Sequence, residues 1–598
     1  MKTRLHYTIV LTVMITIAGI SISSCKKYLD VAPVSSFAPE FVFNSVSNAQ
    51  KAVLGTYAAL TGDQGYGIRI SMYYAYDDDN MMGQGGTPYP DGERRDLAHY
   101  SATASNTQLS APFNQLFSGI ERANLCIYYI PKMEQYTNGT ASEKFELKRL
   151  HGEALTLRAQ FYFEAIRNWG DLPAHFQPAF LETDLYKAKT DRDSLYDQLL
   201  NDLSLAETLV PWRTEVATPD ERITQGAVRA LRARIALFRG GYSLRSTSKQ
   251  MERGSNYLAY YQIARDECNT IMQRTADHKL NPSYQAVFKD NICAHKIEPN
   301  GEVMFEVAMA GGNSAAGDSK LGYYNGTRWN NLGNGALTIL PSYFYMFDST
   351  DSRRDVTCAP YAINSNGTYT GQTLVNIRDG KFRRDWITPS VLSSAAQYFG
   401  LNWPIIRYSD VLLMFAEAEN EINGAPTAAA INAYNLVRAR AFASNPGYLT
   451  ANPAPTTKSG FFNAIVNERA LEFGSEAIRK YDLIRWNLLG SKLSDTKALL
   501  ALMAARTSAP WNTYPTTMYY NKLITTGLQW AGSYYKPNVT PTPPTSTYTA
   551  VNWLNVGNMN TTILTYYAIA FTSNKSELLP LPQAALDANP NLKQNPNY

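Results

Sequence analysis

This chain has few of the residues that do chemistry. Five cysteines in 598 residues, with no C-x-x-C pair, exclude a dense disulfide framework and a thiol-redox motif. Among six histidines there is no H-E-x-x-H and no pair at ligand spacing, so no metal centre is expected. His151, set among Leu, Glu and Arg, reads as a surface or internally satisfied histidine. The chain has no Gly-rich loop ending in Lys and Ser or Thr, and no G-x-S-x-G, which removes the phosphate cradle and the serine elbow. Charge is sparse as well. At 18% charged residues and a formal net charge of +4 there is no field to attract a polyanion, so nucleic acid is not an expected partner. Beyond the first two dozen residues no apolar run is long enough to span a bilayer.

What the chain does have is a large apolar fraction and many rings. Hydrophobic residues at 45% exclude wholesale disorder, and the length suggests several domains or one continuous helical repeat. Forty Tyr, 23 Phe and nine Trp are the unusual component. Tyrosine joins a flat apolar face to a polar tip and suits wet binding surfaces as well as cores.

The first residues resemble an export signal. Lys2 and Arg4 precede an apolar run, and Ile22-Ser23-Ser24-Cys25 resembles a bacterial lipobox, with residues 1–24 removed and Cys25 lipidated. Several acyl chains, each buried CH₂ contributing about 0.8 kcal/mol, would tether the body to a membrane. The remaining cysteines, Cys126, Cys268, Cys293 and Cys358, allow one or two disulfides and require none.

The middle of the chain reads as stacked helices. Over 143–169, Ala154, Leu157, Phe161 and Ala165 recur at spacings of three and four, with Leu155, Tyr162, Ile166 and Trp169 as a second stripe. Two stripes imply neighbours on two sides. Similar periodicity predicts helices over 111–130, 194–209, 224–239, 257–274, 408–423, 428–442 and 461–487. Pairs joined by short connections predict a mostly α fold of stacked helical hairpins, a tetratricopeptide-like solenoid. Loop-rich insertions with a few short strands are expected at about 60–110, 284–405 and 507–562, where composition shifts to Gly, Asn, Pro, Thr and Tyr.

Five ordered segments carry a family resemblance. The run from Gly152-Glu153-Ala154 through Leu157-Arg158-Ala159 and Tyr162-Phe163 to Gly170-Asp171-Leu172-Pro173 is one. Cys25-Lys26-Lys27-Tyr28-Leu29-Asp30, Arg407-Tyr408-Ser409-Asp410 with Ala416-Glu417-Ala418, the block from Glu468-Arg469 to Arg485-Trp486, and the tail from Leu581-Pro582 to Gln594-Asn595-Pro596 are the others. Together they resemble the SusD/RagB family of nutrient-binding outer-membrane lipoproteins. Ala477 in place of Gly, Gly474-Ser475 in place of an apolar position, and Asn597 in place of Gly depart from that pattern. The resemblance implies a protein that holds a glycan at the cell surface for a TonB-dependent, SusC-like transporter. It implies no cofactor and no catalysis. Peptide or another nutrient is the alternative cargo, and a glycoside hydrolase the alternative of another class.

For a hydrolase, Glu468 and Glu472 share a helix face and could serve as the carboxylate pair. Arg469, Arg479 and Arg485 in the same block instead predict an ion-paired scaffold with lowered carboxylate pKa values. Asp77-Asp78-Asp79-Asn80 lacks the twelfth-position Glu of a calcium loop and reads as a solvated acidic turn. A sugar site needs flat rings for the C–H face and amides, acids or Arg for the hydroxyl rim. Two non-helical segments supply both: Tyr73, Tyr76, Asp79 and Tyr100 in the first, Tyr323, Tyr324, Asn325 and Trp329 in the second. In the resembled family the ligand site is formed by loops from these two regions. Internal packing is the competing reading for each ring.

Overall fold

The computed structural model describes residues 42–598, apart from 217–220, 393, 537–542, 544, 555–556, 558 and 560–561. The leader and Cys25 lie outside the described residues.

The body is a run of antiparallel helices: α1 Val46–Tyr57, α2 Ser110–Tyr129, α3 Ala141–Trp169, α4 Arg192–Ala206, α5 Gln225–Arg239 and α6 Tyr257–Met272. After a long insertion come α7 Tyr408–Asn423, α8 Ala428–Ala441, α9 Lys458–Phe473, α10 Arg479–Arg485 and α11 Leu489–Ala505. From α2 to α8 each helix packs on the next, as the hairpin reading expects, with α1 lying across α2 and α3.

Helix α3 shows why. Thr140 and Glu143 form a capping box, Thr140 Oγ1 accepting from Glu143 N at 3.2 Å and Glu143 Oε2 accepting from Thr140 N at 2.8 Å. Both apolar stripes are fully buried, because α2 and α4 cover opposite sides. Two glycines permit this closeness. A Cβ at Gly119 would lie 2.5 Å from the Phe161 ring, and one at Gly152 would lie 2.4 Å from Val210 Cγ2. The motif polar residues bind the stack: Glu153 receives Arg149 and Arg222, Arg158 donates to Asp202, and Asp171 accepts from Arg192.

The single helix expected over 461–487 is two, α9 and α10. Gly474 ends the first, since a Cβ there would meet Tyr343 Oη at 2.1 Å, and Ser475 and Ala477 take positive φ of 68° and 55°. Two of the three departures from the family pattern, Gly474-Ser475 and Ala477, sit at this break. Helix α11 was not anticipated, although Leu489, Leu493, Leu500 and Met503 form a buried stripe at helical spacing.

The long insertion leaves and rejoins the solenoid through one antiparallel ribbon. Val303–Val307 pairs with Trp403–Arg407, Trp403 opposite Val307 and Arg407 opposite Val303, and the second strand runs directly into α7. Both ends of the loop region are thereby fixed to the helices. The four cysteines among the described residues are buried free thiols. The chain's last residues close on α3: Trp169 Nε1 donates to Pro580 O, and Asn595 Nδ2 to Trp169 O.

Candidate functional site

The two loop segments singled out above meet. Met81–Met82 pairs antiparallel with Thr338–Ile339, Met81 opposite Ile339 and Met82 opposite Thr338. Leu340 N donates to Asn80 O, and the Tyr73 and Tyr324 rings pack at 5.1 Å with their planes 54° apart. Tyr324 Oη donates to Gln84 Oε1 at 3.2 Å. Above this junction an open, polar cleft of about 350 Å³ is lined by Gln84, Asn334, Thr338, Asn376, Arg378 and Thr562, with Met82 and Ile563 beneath.

Most of the residues expected to touch ligand support this junction from inside. Tyr73, Tyr76, Tyr100 and Tyr324 are buried. Tyr100 Oη donates to Asp77 O, and its ring packs edge-on against Phe571. Asn325 donates to Asp379 Oδ2 at 2.5 Å and accepts from Gly322 N at 2.9 Å. Asp79 is held by Arg479 through two 2.7 Å hydrogen bonds. None of Tyr76, Tyr100, Asn325 or Asp79 is a surface contact, because each finds its partners within the chain. Tyr323 and Trp329 are half exposed, as is Asp79 despite its arginine partner. Trp329 also packs its own loop down on Tyr361, Ile363 and Tyr369, where Asn330 N donates to Ile363 O.

The acidic turn is not solvated. Asp77 and Asp78 are buried; Asp77 Oδ1 accepts from Gly83 N and its Oδ2 from Ala568 N, while Asp78 Oδ1 accepts from Asn80 N and Met81 N. Burial, with Asp79 adding to it, pushes the Asp78 carboxyl up to about 8. The turn organises the loop that carries Gln84. No cluster of three or more potential metal ligands occurs among the described residues. His151 is buried, with Nδ1 beside Tyr136 Oη at 3.1 Å.

The carboxylates of the α9 block form an ion-pair network. Glu472 meets Arg353, Arg407 and Arg440, and Glu468 meets Arg353. Burial opposes ionisation of Glu472, but the three guanidiniums outweigh it and hold the group far below the usual carboxylate range. Glu468 goes the other way: burial raises it in spite of Arg353. The scaffold reading holds for both residues, and the lowered pKa expected of the pair applies only to Glu472.

Known proteins now bear on this geometry. Residues 27–237 match a family model described as starch-binding associating with outer membrane, and residues 301–598 match that of the SusD family. The chain belongs to the SusD/RagB family. A SusD-like protein of Formosa agariphila is 25% identical over 515 residues, 79% of this chain and 89% of that protein. Among solved structures, a SusD homologue from Bacteroides thetaiotaomicron superposes with a TM-score of 0.73 at 22% identity, over 94% of this chain and 98% of that one. Surface glycan-binding protein A from the same organism, in complex with laminarihexaose, superposes with a TM-score of 0.60 at 19% identity, over 92% and 99%. At such identities the structures establish the solenoid fold, and the family description associates it with the outer membrane.

Sequence reasoning passed over Gln84, Asn334, Asn376, Arg378 and Thr562, which line the cleft of this SusD-family protein. Asn334 stands in a Gly- and Asn-rich loop, a visible turn signal, whereas Asn376 and Arg378 arrive from a separate strand region that carried none. A second cleft of about 540 Å³ collects Tyr345, Tyr434, Phe442, Tyr448, Tyr514 and Tyr535, rings drawn from four stretches of the chain.

Proposed function

We propose that this protein binds an oligosaccharide at the outer surface of the cell and delivers it to a TonB-dependent, SusC-like transporter, anchored to the outer membrane by lipid on Cys25. The observation that supports it best is the meeting of the two loop segments at one open cleft. Its walls offer amides, hydroxyls and a guanidinium at the density a sugar's hydroxyl rim requires. Tyr323 and Trp329 supply ring faces for sugar C–H groups on the same loop. The protein acts by holding and passing on. One of the superposed structures is named a surface glycan-binding protein, one matching family model is described as starch-binding, and the paired carboxylates of α9 are engaged by arginine. Isothermal titration with a panel of oligosaccharides tests the reading: modest-affinity binding to at least one glycan, weakened about tenfold by Asn334→Ala without loss of stability, is expected. Shorter products after prolonged incubation would instead reveal a hydrolase.

A further inference from the structure

The arginines around the cleft differ from those of the core. A buried guanidinium stays charged and costs several kcal/mol unless a carboxylate or several acceptors compensate it. In the core that rule is met: Arg353 grips Asp351, Glu468 and Glu472, Arg407 grips Glu302, Glu472 and Glu476, and Arg485 grips Glu417 and Asp482. At the cleft it is not. Arg378 lines the cleft and, among the described residues, donates to Leu337 O and Thr338 Oγ1. Exposed Arg328 donates to Asn331 O. The two converge on Gly335, where a Cβ would sit 3.1 Å from Arg328 Cγ and 3.5 Å from Arg378 Nε.

Behind them, fully buried Arg384 donates to the carbonyls of Val391 and Ser394, and its Nη1 has no partner among the described residues. Arg94 lies 6.0 Å from the Tyr324 ring, its buried Nε without a hydrogen-bond partner among the described residues. None of these four has a carboxylate at ion-pair distance among the described residues. Neighbouring acids are engaged elsewhere: Asp379 by Asn325 and the Lys381 amide, Asp385 by Tyr361 and Tyr369, Asp91 by Arg95. Glu93 is exposed and forms no pair with Arg94. Burial, reinforced by Arg328, lowers Arg378 to about 10.

Resting on the glycan-binding reading of the cleft, we propose that its ligand is an anionic oligosaccharide, whose carboxylate or sulfate groups dock on Arg378 and Arg328. Arg384 and Arg94 add fixed positive charge behind the contact. A guanidinium fork presents two parallel N–H donors to an oxyanion, a match that neutral hydroxyls do not offer. The chain's small net charge does not conflict with this, because the four charges are concentrated at one cleft while the rest of the surface stays mixed.

The test is titration calorimetry on the full mature chain with three probes of similar length: laminarihexaose as the neutral one, an oligogalacturonate for carboxylate, and a carrageenan-derived oligosaccharide for sulfate. One acidic probe is expected to bind at least about tenfold more tightly than the neutral one, and its affinity is expected to fall several-fold between about 50 and 300 mM salt. Arg378→Gln should erase that preference with no loss of melting temperature, since no ion pair is broken. Arg328→Ala, at an exposed position, should reduce it with folding undisturbed. Which acidic probe wins identifies the oxyanion. Binding of laminarihexaose as tight as either acidic probe, insensitive to salt and to both substitutions, overturns the proposal and leaves the glycan reading intact. Failure of all three probes, extended to a wider neutral panel, overturns the glycan reading and this inference together.

Discussion

Asp79 and Arg479 lie 400 positions apart in the chain and meet through two hydrogen bonds of 2.7 Å, carboxylate to guanidinium. The pair ties the first loop segment to the helix that follows the α9 break. Arg479 also donates to Val466 O, so the same side chain bridges α9 and the loop. Breaking one side leaves a buried charge unmatched. Asp79→Ala is expected to cost about 3–5 kcal/mol in urea unfolding. The double substitution Asp79→Ala/Arg479→Leu should cost less than the sum of the single ones, a coupling a double-mutant cycle reads directly.

Glu472 should give the fold a pH limit on the acid side. Its carboxyl is held far below its unfolded value, so the stability it contributes is complete above about pH 5 and is lost as the pH falls toward the folded value. Glu472→Gln takes one carboxylate from each of Arg353, Arg407 and Arg440, which keep their other acidic partners, and is expected to cost about 3–5 kcal/mol at pH 7. The gap to wild type should narrow as the pH drops from 5 to 3 in urea titrations. A constant gap would show that the ion pairs are not what Glu472 contributes.

Asp78 has the opposite sign. Its folded carboxyl, raised to about 8, keeps a proton that the unfolded chain has lost near pH 4, so wild-type stability declines as the pH rises from about 4 to about 8. Asp78→Asn retains the Oδ1 acceptor for the amides of Asn80 and Met81 and removes the titration. The variant should gain on wild type steadily from pH 5 to pH 8. Parallel curves would mean that Asp78 is already ionised in the fold.

Trp329 has two jobs, and one substitution separates them. Its ring packs on the small cluster of Tyr361, Ile363 and Tyr369 while part of it remains exposed. Trp329→Ala is expected to cost about 1–3 kcal/mol of stability, less than a fully buried Trp, and to weaken glycan retention on an affinity gel. Trp329→Phe should recover most of the stability and only part of the retention. Equal recovery of both would assign the ring to packing alone.

Gly119 should resist any side chain. A Cβ there would stand 2.5 Å from the Phe161 ring at the α2–α3 contact, so Gly119→Val is expected to cost about 1–3 kcal/mol. Phe161→Leu in the same chain should return part of that loss, measured by thermal melting, because the smaller side chain vacates the collision.

Much of the scaffold was legible before any coordinates. The stripes of α3 are local, and a helix's periodicity is written within four residues of every position. The break between α9 and α10 was visible only as a departure from a family pattern. The Tyr343 hydroxyl that forbids a side chain at Gly474 comes from elsewhere in the chain. The two loop regions could be named from the sequence, but not which of their side chains would be buried. Tyr76 and Trp329 stand in equally polar, ring-rich stretches, yet one is buried and the other half exposed.

The sequence by itself determined a helical solenoid, since helical periodicity is a pattern of near neighbours. Tertiary structure alone decided which rings face solvent, that Asp79 answers Arg479, and that the arginines around the cleft have no acidic partner among the described residues. Exposure and charge pairing are set by chain segments hundreds of residues apart, and no local pattern encodes which of them will meet.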